Sequence, residues 1–146
     1  MNEKYMLEAI KEANKCENDV PVGAIITDSN GKIVAKAHNI KEKENDSTAH
    51  AEIIAIRKAC KKMKTNYLTG CTIYVTLEPC MMCTGAIIES KITNLIYGTK
   101  SNKYGFTYSV EYLASHNNNY CLKIADGVCK KQCQNILKNF FKNKRS

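Results

Sequence analysis

Residues 71–90 read CTIYVTLEPCMMCTGAIIES and join a strand to a helix within one short segment. The β-branched and aromatic side chains of residues 71–76 are typical of a strand. Pro79 is tolerated at the first position of a helix, so we expect a helix from about residue 78 to 90. Cys80 and Cys83 are three residues apart, which places both sulfurs on one side of the first helical turn, where the positive helix end favours thiolates. The segment therefore predicts half of a metal site within an α/β fold.

Apolar periodicity extends the alternation of helices and strands in both directions along the chain. Upstream we expect a helix over residues 2 to about 17, strands over 20–26 and 32–37 joined by the turn Asp28-Ser29-Asn30-Gly31, a polar loop over 39–48, and a second helix that starts near His50. Downstream we expect a strand over 95–97, a basic loop over 98–108, a short helix over 109–115, a strand over 121–125 and a closing helix over 127–142. The pattern predicts a single domain of residues 1–146, a three-layer α/β/α sandwich with a mixed five-stranded sheet.

The composition limits the cellular compartments and the classes of binding partner that we expect for the protein. No apolar run approaches the roughly 18 residues of a membrane helix, and the start of the chain lacks the apolar stretch of a signal peptide, so we expect a cytoplasmic protein without a membrane partner. The eight cysteines are then expected to be thiols or metal ligands rather than disulfides. The formal net charge of +8 favours a polyanionic partner.

His50 adds a third potential ligand to Cys80 and Cys83. Catalytic zinc keeps three protein ligands and leaves a position for water, whereas structural zinc generally takes four. Glu52, two residues after His50, can address the same zinc only at a helix terminus, where it can exchange a proton with zinc-bound water. We therefore expect hydrolysis at an sp² carbon, with a purely structural zinc site as the alternative.

The motifs resemble those of a known enzyme family over nearly the whole chain. His50-Ala51-Glu52, followed after 26 intervening residues by Pro79-Cys80-Met81-Met82-Cys83, fits the H-x-E…P-C-x-x-C signature of zinc nucleobase deaminases. Further segments resemble the bacterial tRNA-specific adenosine deaminases: residues 20–24, Asn39, residues 46–53, 75–80 and 85–87. Ser101 and Tyr120 stand where that family usually has Asp and His.

The resemblance implies a homodimer of the cytidine-deaminase fold that converts the wobble adenosine of a tRNA anticodon stem-loop to inosine. It implies one Zn²⁺ per subunit on His50, Cys80 and Cys83, with Glu52 as proton shuttle and zinc-bound water as nucleophile. It also implies that substrate-binding residues include Asn39 as a contact to the flipped base and Ala51, whose backbone would line the pocket. The remaining residues expected to bind substrate are Lys103, Asn119 and Phe141.

Two other functions remain open at this point. A deaminase of a free nucleobase or nucleotide, of guanine or cytosine type, would use the same zinc chemistry. A catalytically inactive, zinc-stabilised RNA-binding protein would have no need of Glu52. Local sequence also allows interpretations without a function for three features. Asn39 follows a strand, where asparagine is a common turn residue, and the charges of the basic loop over residues 98–108 are typical of a solvated surface. Phe140 fits the apolar stripe of the last helix.

Overall fold

The structure is a computed structural model that describes residues 2–101 and 121–145. The elements in chain order are α1 (Asn2–Ala13), β1 (Gly23–Thr27), β2 (Ile33–His38), α2 (Lys41–Glu44), α3 (Ala51–Met63), β3 (Thr72–Leu77), α4 (Met81–Glu89), β4 (Asn94–Thr99), β5 (Lys123–Asp126) and α5 (Lys130–Arg145). The strands form one sheet in the order β2-β1-β3-β4-β5. β1 is antiparallel to β2 and β3, whereas β3, β4 and β5 run parallel, so the predicted mixed five-stranded sheet is confirmed.

Successive side chains of the three central strands enter two separate cores, as the two-residue period of a strand requires. Ile25, Tyr74 and Ile96 pack beneath α1 and α5. Their strand neighbours, such as Ile26, Val75 and Leu95, pack beneath α3 and α4. Helices therefore cover both faces of the sheet, which confirms the α/β/α sandwich.

Several predicted boundaries change in the structure. α2 lies inside the predicted polar loop, where the buried Asp19 carboxylate accepts the backbone N–H of Glu42. Pro79 is not the first helical residue, because Cys80 is the N-cap of α4 and the helix begins at Met81. His50 is likewise the N-cap of α3 rather than a residue of its first turn.

These shifts move residues by only one or two positions, yet they place both Cys80 and His50 at extended backbone just before a helix. The predicted helix over residues 109–115 lies outside the described residues.

The site-bearing segments meet at one end of the sheet. β3 and β4 end there, β1 begins there, and β2 ends there, which follows from the parallel and antiparallel pairings. Crevices beyond the carboxyl ends of parallel strands are the usual ligand sites of open α/β sheets. Among the helices within residues 2–101 and 121–145, none is long and apolar enough to cross a membrane.

Candidate metal centre and catalytic cavity

Two helix starts bring His50, Cys80 and Cys83 together. The ligand atoms of the three residues all lie within 4.8 Å of one another. His50 Nδ1 is 3.6 Å from Cys80 Sγ and 3.5 Å from Cys83 Sγ. His50 precedes α3, Cys80 precedes α4, and Cys83 lies in the first turn of α4, so two helix N-termini point at the cluster.

These separations fit a tetrahedral zinc ion. With Zn–S of about 2.3 Å and Zn–N of about 2.0–2.1 Å, tetrahedral angles place nitrogen and sulfur ligands about 3.6 Å apart. Both observed N···S distances agree with this value. The donor set of one imidazole and two thiols is also one that zinc prefers.

The two thiols differ in acidity. Cys83 donates a hydrogen bond to Cys80, and this bond, with His50 alongside, lowers the pKa of Cys80 to about 4 despite its burial. The same bond and burial raise the pKa of Cys83. Cys80 is therefore a thiolate at neutral pH, ready to accept a cation.

Glu52 is the carboxylate beside this cluster. Its side chain is buried, with 4% of its surface exposed. Burial is the main reason that its pKa rises to about 7, although its own backbone N–H donates a hydrogen bond to it. A carboxyl group with a pKa near neutrality can both take up and release a proton at physiological pH.

A cavity of about 530 Å³ opens onto His50, Glu52 and Cys80. This volume is typical of sites that bind small molecules. The remaining lining residues come from the segment before β1, from the residue after β2 and from α2, from the end of β3 and the residue after it, from the segment after β4, and from the end of α5: Asn18, Asp19, Val20, Val22, Asn39, Lys41, Glu42, Leu77, Glu78, Ser101, Phe140, Phe141 and Lys144.

Of the residues predicted to bind substrate, Asn39 and Phe141 line the cavity. Ala51 is fully buried between two lining residues, and its backbone N–H donates to Asn39 Oδ1 at 2.8 Å. Lys103 and Asn119 lie outside the described residues. The structure thus brings Asn39, Phe141 and the metal cluster to one cavity.

Sequence reasoning missed several residues of the cavity wall. Phe140 was expected in the core stripe of the last helix, but it lines the cavity, with its ring 5.2 Å from that of Phe141. Lys144 Nζ lies 5.5 Å from the centre of the Phe140 ring.

Glu78, the residue before Pro79, is buried and accepts the backbone N–H of Ser101 at 2.9 Å. In the sequence, the one feature that could have identified Glu78 as part of the cavity wall is its position directly before the Pro-Cys pair.

Comparison with known proteins gives consistent matches. Residues 1–99 match the sequence profile of the cytidine and deoxycytidylate deaminase zinc-binding region. The tRNA-specific adenosine deaminase of Bacillus subtilis (strain 168) is 42% identical over 147 residues, which cover 99% of this chain and 91% of that protein.

Solved structures agree with the sequence matches. A structure from a study of A-to-I editing by tRNA:A34 deaminases at the wobble position of transfer RNA is 33% identical, with a TM-score of 0.84. That match covers 92% of this chain and 99% of the other. A guanine deaminase from Bacillus subtilis is 34% identical, but its TM-score is 0.66 and the match covers 79% of this chain and 76% of the other.

Proposed function

Because the chain belongs to the cytidine and deoxycytidylate deaminases and, within them, to the tRNA-specific adenosine deaminases, we propose how its residues perform the reaction of that family. The protein is a zinc-dependent hydrolase that converts adenosine to inosine at the wobble position of a tRNA anticodon. One observation supports this reaction best: a buried carboxylate lies beside a His/Cys/Cys group with zinc-like spacing at the wall of a cavity.

His50 Nδ1 and the sulfurs of Cys80 and Cys83 would hold the zinc ion. Zinc, when bound, lowers the pKa of water toward about 7 and so supplies a nucleophile at neutral pH. The positive ends of α3 and α4 add to the stabilisation of the two thiolates. Three protein ligands would leave the fourth coordination position of a zinc ion for water, as in other catalytic zinc sites.

Glu52 moves the protons of the reaction. A carboxylate oxygen of Glu52 accepts a proton from the attacking water as the water oxygen bonds to C6 of adenine, and Glu52 passes this proton to adenine N1. Glu52 then takes the remaining proton of the new hydroxyl group and delivers it to the exocyclic amine. The C6–N6 bond breaks, ammonia leaves, and C6 keeps the oxygen as the carbonyl of inosine. Burial supports this role, since the pKa of Glu52 near 7 allows both steps.

Asn39 and Phe141 are proposed to hold the flipped base in the cavity. Asn39 Oδ1 accepts the N–H of Ala51 and Nδ2 donates to Val20 O at 2.9 Å, which leaves one Nδ2 hydrogen for an acceptor on the base. The ring of Phe141, 36% exposed, offers a face for stacking. An anticodon loop costs less to unstack than a duplex, which fits a deaminase of this kind. Lys103 and Asn119 remain predicted RNA contacts.

The test compares deamination of a transcript of an adenosine-34 arginine tRNA by the zinc-loaded wild type and by Glu52→Gln. We expect A-to-G changes in the cDNA with wild type, and a kcat lower by about 10²–10⁴-fold with Glu52→Gln. Glu44→Gln, an exposed change on α2, is the matched control and should keep wild-type turnover. Turnover by Glu52→Gln at the wild-type rate would refute its role, whereas a wild type that binds zinc and tRNA without any turnover would favour the inactive-binder alternative.

A parallel assay with free bases and nucleosides distinguishes a free-base deaminase from a tRNA deaminase. Ammonia release from free guanine or cytidine, without RNA, would favour it. A tRNA deaminase should instead lose activity steeply as salt rises, because phosphate contacts release counterions. Activity on tRNA that is indifferent to salt would count against the role of the +8 charge in binding.

We further propose a cytoplasmic homodimer. All eight cysteines are free thiols, which is typical of proteins kept in a reducing compartment. Met81 and Met82 in the first turn of α4 are 57% and 38% exposed, and a second copy of the chain would cover such apolar side chains. Light scattering should give twice the 16.4 kDa mass of the chain, and Met81→Lys should lower it.

A further inference from the structure

The start of α3 carries His50 and Glu52, yet His50 does not cap the helix. An N-cap side chain normally accepts one of the first backbone N–H groups of its helix. His50 makes no such bond, and its Nδ1 faces the two sulfurs instead. The helix start therefore depends on an acceptor from elsewhere in the fold.

Asn39, twelve positions earlier, supplies that acceptor. Its Oδ1 accepts the N–H of Ala51, the first residue of α3, at 2.8 Å. Ala51 stands between His50 and Glu52, so this bond holds the peptide that joins the two. We propose that Asn39 is a positioning residue that sets His50 relative to Cys80 and Cys83 before any substrate binds.

Asn39 is itself held rigidly enough for this role. Its backbone N–H donates to Val22 O at 3.2 Å, and its carbonyl accepts a weak bond from the Cys16 thiol at 3.5 Å. Its Nδ2 donates to Val20 O at 2.9 Å. Since a carbonyl only accepts and an N–H only donates, the two side-chain bonds fix which end of the amide faces Ala51.

A second tie supports the same arrangement. Ile40, next to Asn39, donates its N–H to Ala49 O at 3.1 Å, just before His50. The segment after β2 is thus bonded to residues on both sides of His50. Without the Asn39 bond, the Ala51 N–H would lose its acceptor in a buried position, and the backbone at His50 would be free to rotate toward another one.

The inference rests on the proposed role of His50 as a zinc ligand, and zinc affinity tests it without RNA. Competition with a chromophoric chelator should show that Asn39→Ala binds zinc about 10–100-fold more weakly, which is the usual effect of losing a group that orients a ligand. Asn39→Asp keeps an oxygen for the Ala51 N–H while losing the donor to Val20. It should keep an affinity close to wild type, although it would lose the contact to the base.

Asn94→Ala is the matched control: the same substitution removes one side-chain hydrogen bond, from Nδ2 to Thr72 Oγ1 at 3.2 Å, whereas Asn39→Ala removes two. Asn94 begins β4, at the end of the sheet away from the zinc cluster, so zinc affinity should not change. Unfolding midpoints of all variants separate a general loss of stability from the local effect.

A wild-type zinc affinity in Asn39→Ala, with a raised KM for tRNA, would overturn the proposal and leave Asn39 as a base contact only. If Asn39→Ala does not fold, Asn39→Asp still decides, because a 10–100-fold loss of zinc affinity in that variant would also overturn it. A wild-type protein that binds no zinc would refute the proposed function, whereas equal zinc affinities of wild type and Asn39→Ala would refute only the positioning role.

Discussion

Gly98→Ala tests the contact between β4 and α5, the helix that brings Phe140 and Phe141 to the cavity. A Cβ at position 98 would overlap with Cys133 Sγ and would lie 2.8 Å from Thr76 O and 3.0 Å from Cys133 Cβ. Ordinary contacts between such atoms are about 3.5–4.0 Å. Cys133 belongs to α5 and is buried where this helix packs on the sheet, so the helix must shift away from the sheet or the sulfur must leave its position.

The expected cost follows from the overlap. Overpacking a filled core costs about 1–3 kcal/mol, which exceeds the roughly 0.4–1 kcal/mol that Gly→Ala gains by restricting the unfolded chain. Cys133→Ala deletes one buried atom and should cost about 1 kcal/mol. In the double variant the new Cβ occupies space that the sulfur leaves, so the combined loss should be smaller than the sum by about 0.5–2 kcal/mol.

Urea unfolding of the two single variants, the double variant and wild type measures this coupling, at one protein concentration and with saturating zinc. Each kcal/mol should also appear as about 2–4 °C in Tm. Gly98→Ala alone should raise KM for tRNA as α5 moves. Additive losses, or a Gly98→Ala variant as stable as wild type, would refute the packing argument.

Three further predictions follow from buried contacts. Gly23→Ala should destabilise by about 3 kcal/mol or more, because its Cβ would lie within overlap distance of the α1 backbone at Ala9 O, and an unchanged urea midpoint would contradict this. Glu12→Gln should lose about 1 kcal/mol at neutral pH. Burial raises the pKa of Glu12, but hydrogen bonds from Lys15 and His38 outweigh burial and lower this pKa below its usual 4.5. The stability of the wild type should therefore fall as acid protonates this carboxylate, and the difference in unfolding free energy between wild type and Glu12→Gln should vanish. A difference that stays constant across that pH range would exclude the mechanism. After zinc is chelated at mildly acidic pH, iodoacetamide should modify Cys80 first, since its pKa is about 4 while burial raises that of thiols such as Cys71, and peptide mass spectrometry showing uniform labelling would count against it.

The sequence alone predicted the sandwich because the apolar periodicity of each strand and helix shows which side chains enter its two cores. Strands such as residues 71–76 alternate side chains between two buried faces, and helices place apolar residues every three to four positions. The C-x-x-C spacing likewise places Cys80 and Cys83 together through one helical turn. The proximity of His50 came from the family motif and from the chemistry of zinc rather than from any periodicity.

Tertiary structure decided which distant segments share the cavity wall. Phe140 and Phe141 are adjacent on an amphipathic helix, and periodicity assigns one of them to the core, but the approach of α5 to the end of β4 turns both toward the cavity. The bond from Asn39 to Ala51 has no local signature either, since an asparagine after a strand is an ordinary turn residue.

The chain by itself therefore determined the elements, the sheet class and the zinc-deaminase motif, because these depend on side-chain periodicity and on spacings of a few residues. Only the tertiary structure showed that the residue after β2 caps α3, that Glu78 accepts a hydrogen bond from Ser101, and that the last helix lines the cavity. The two hydrogen bonds join residues 12 and 23 positions apart along the chain, and the cavity wall extends from Asn18 to Lys144. These arrangements depend on the sheet order and on helix packing, which no short sequence pattern encodes.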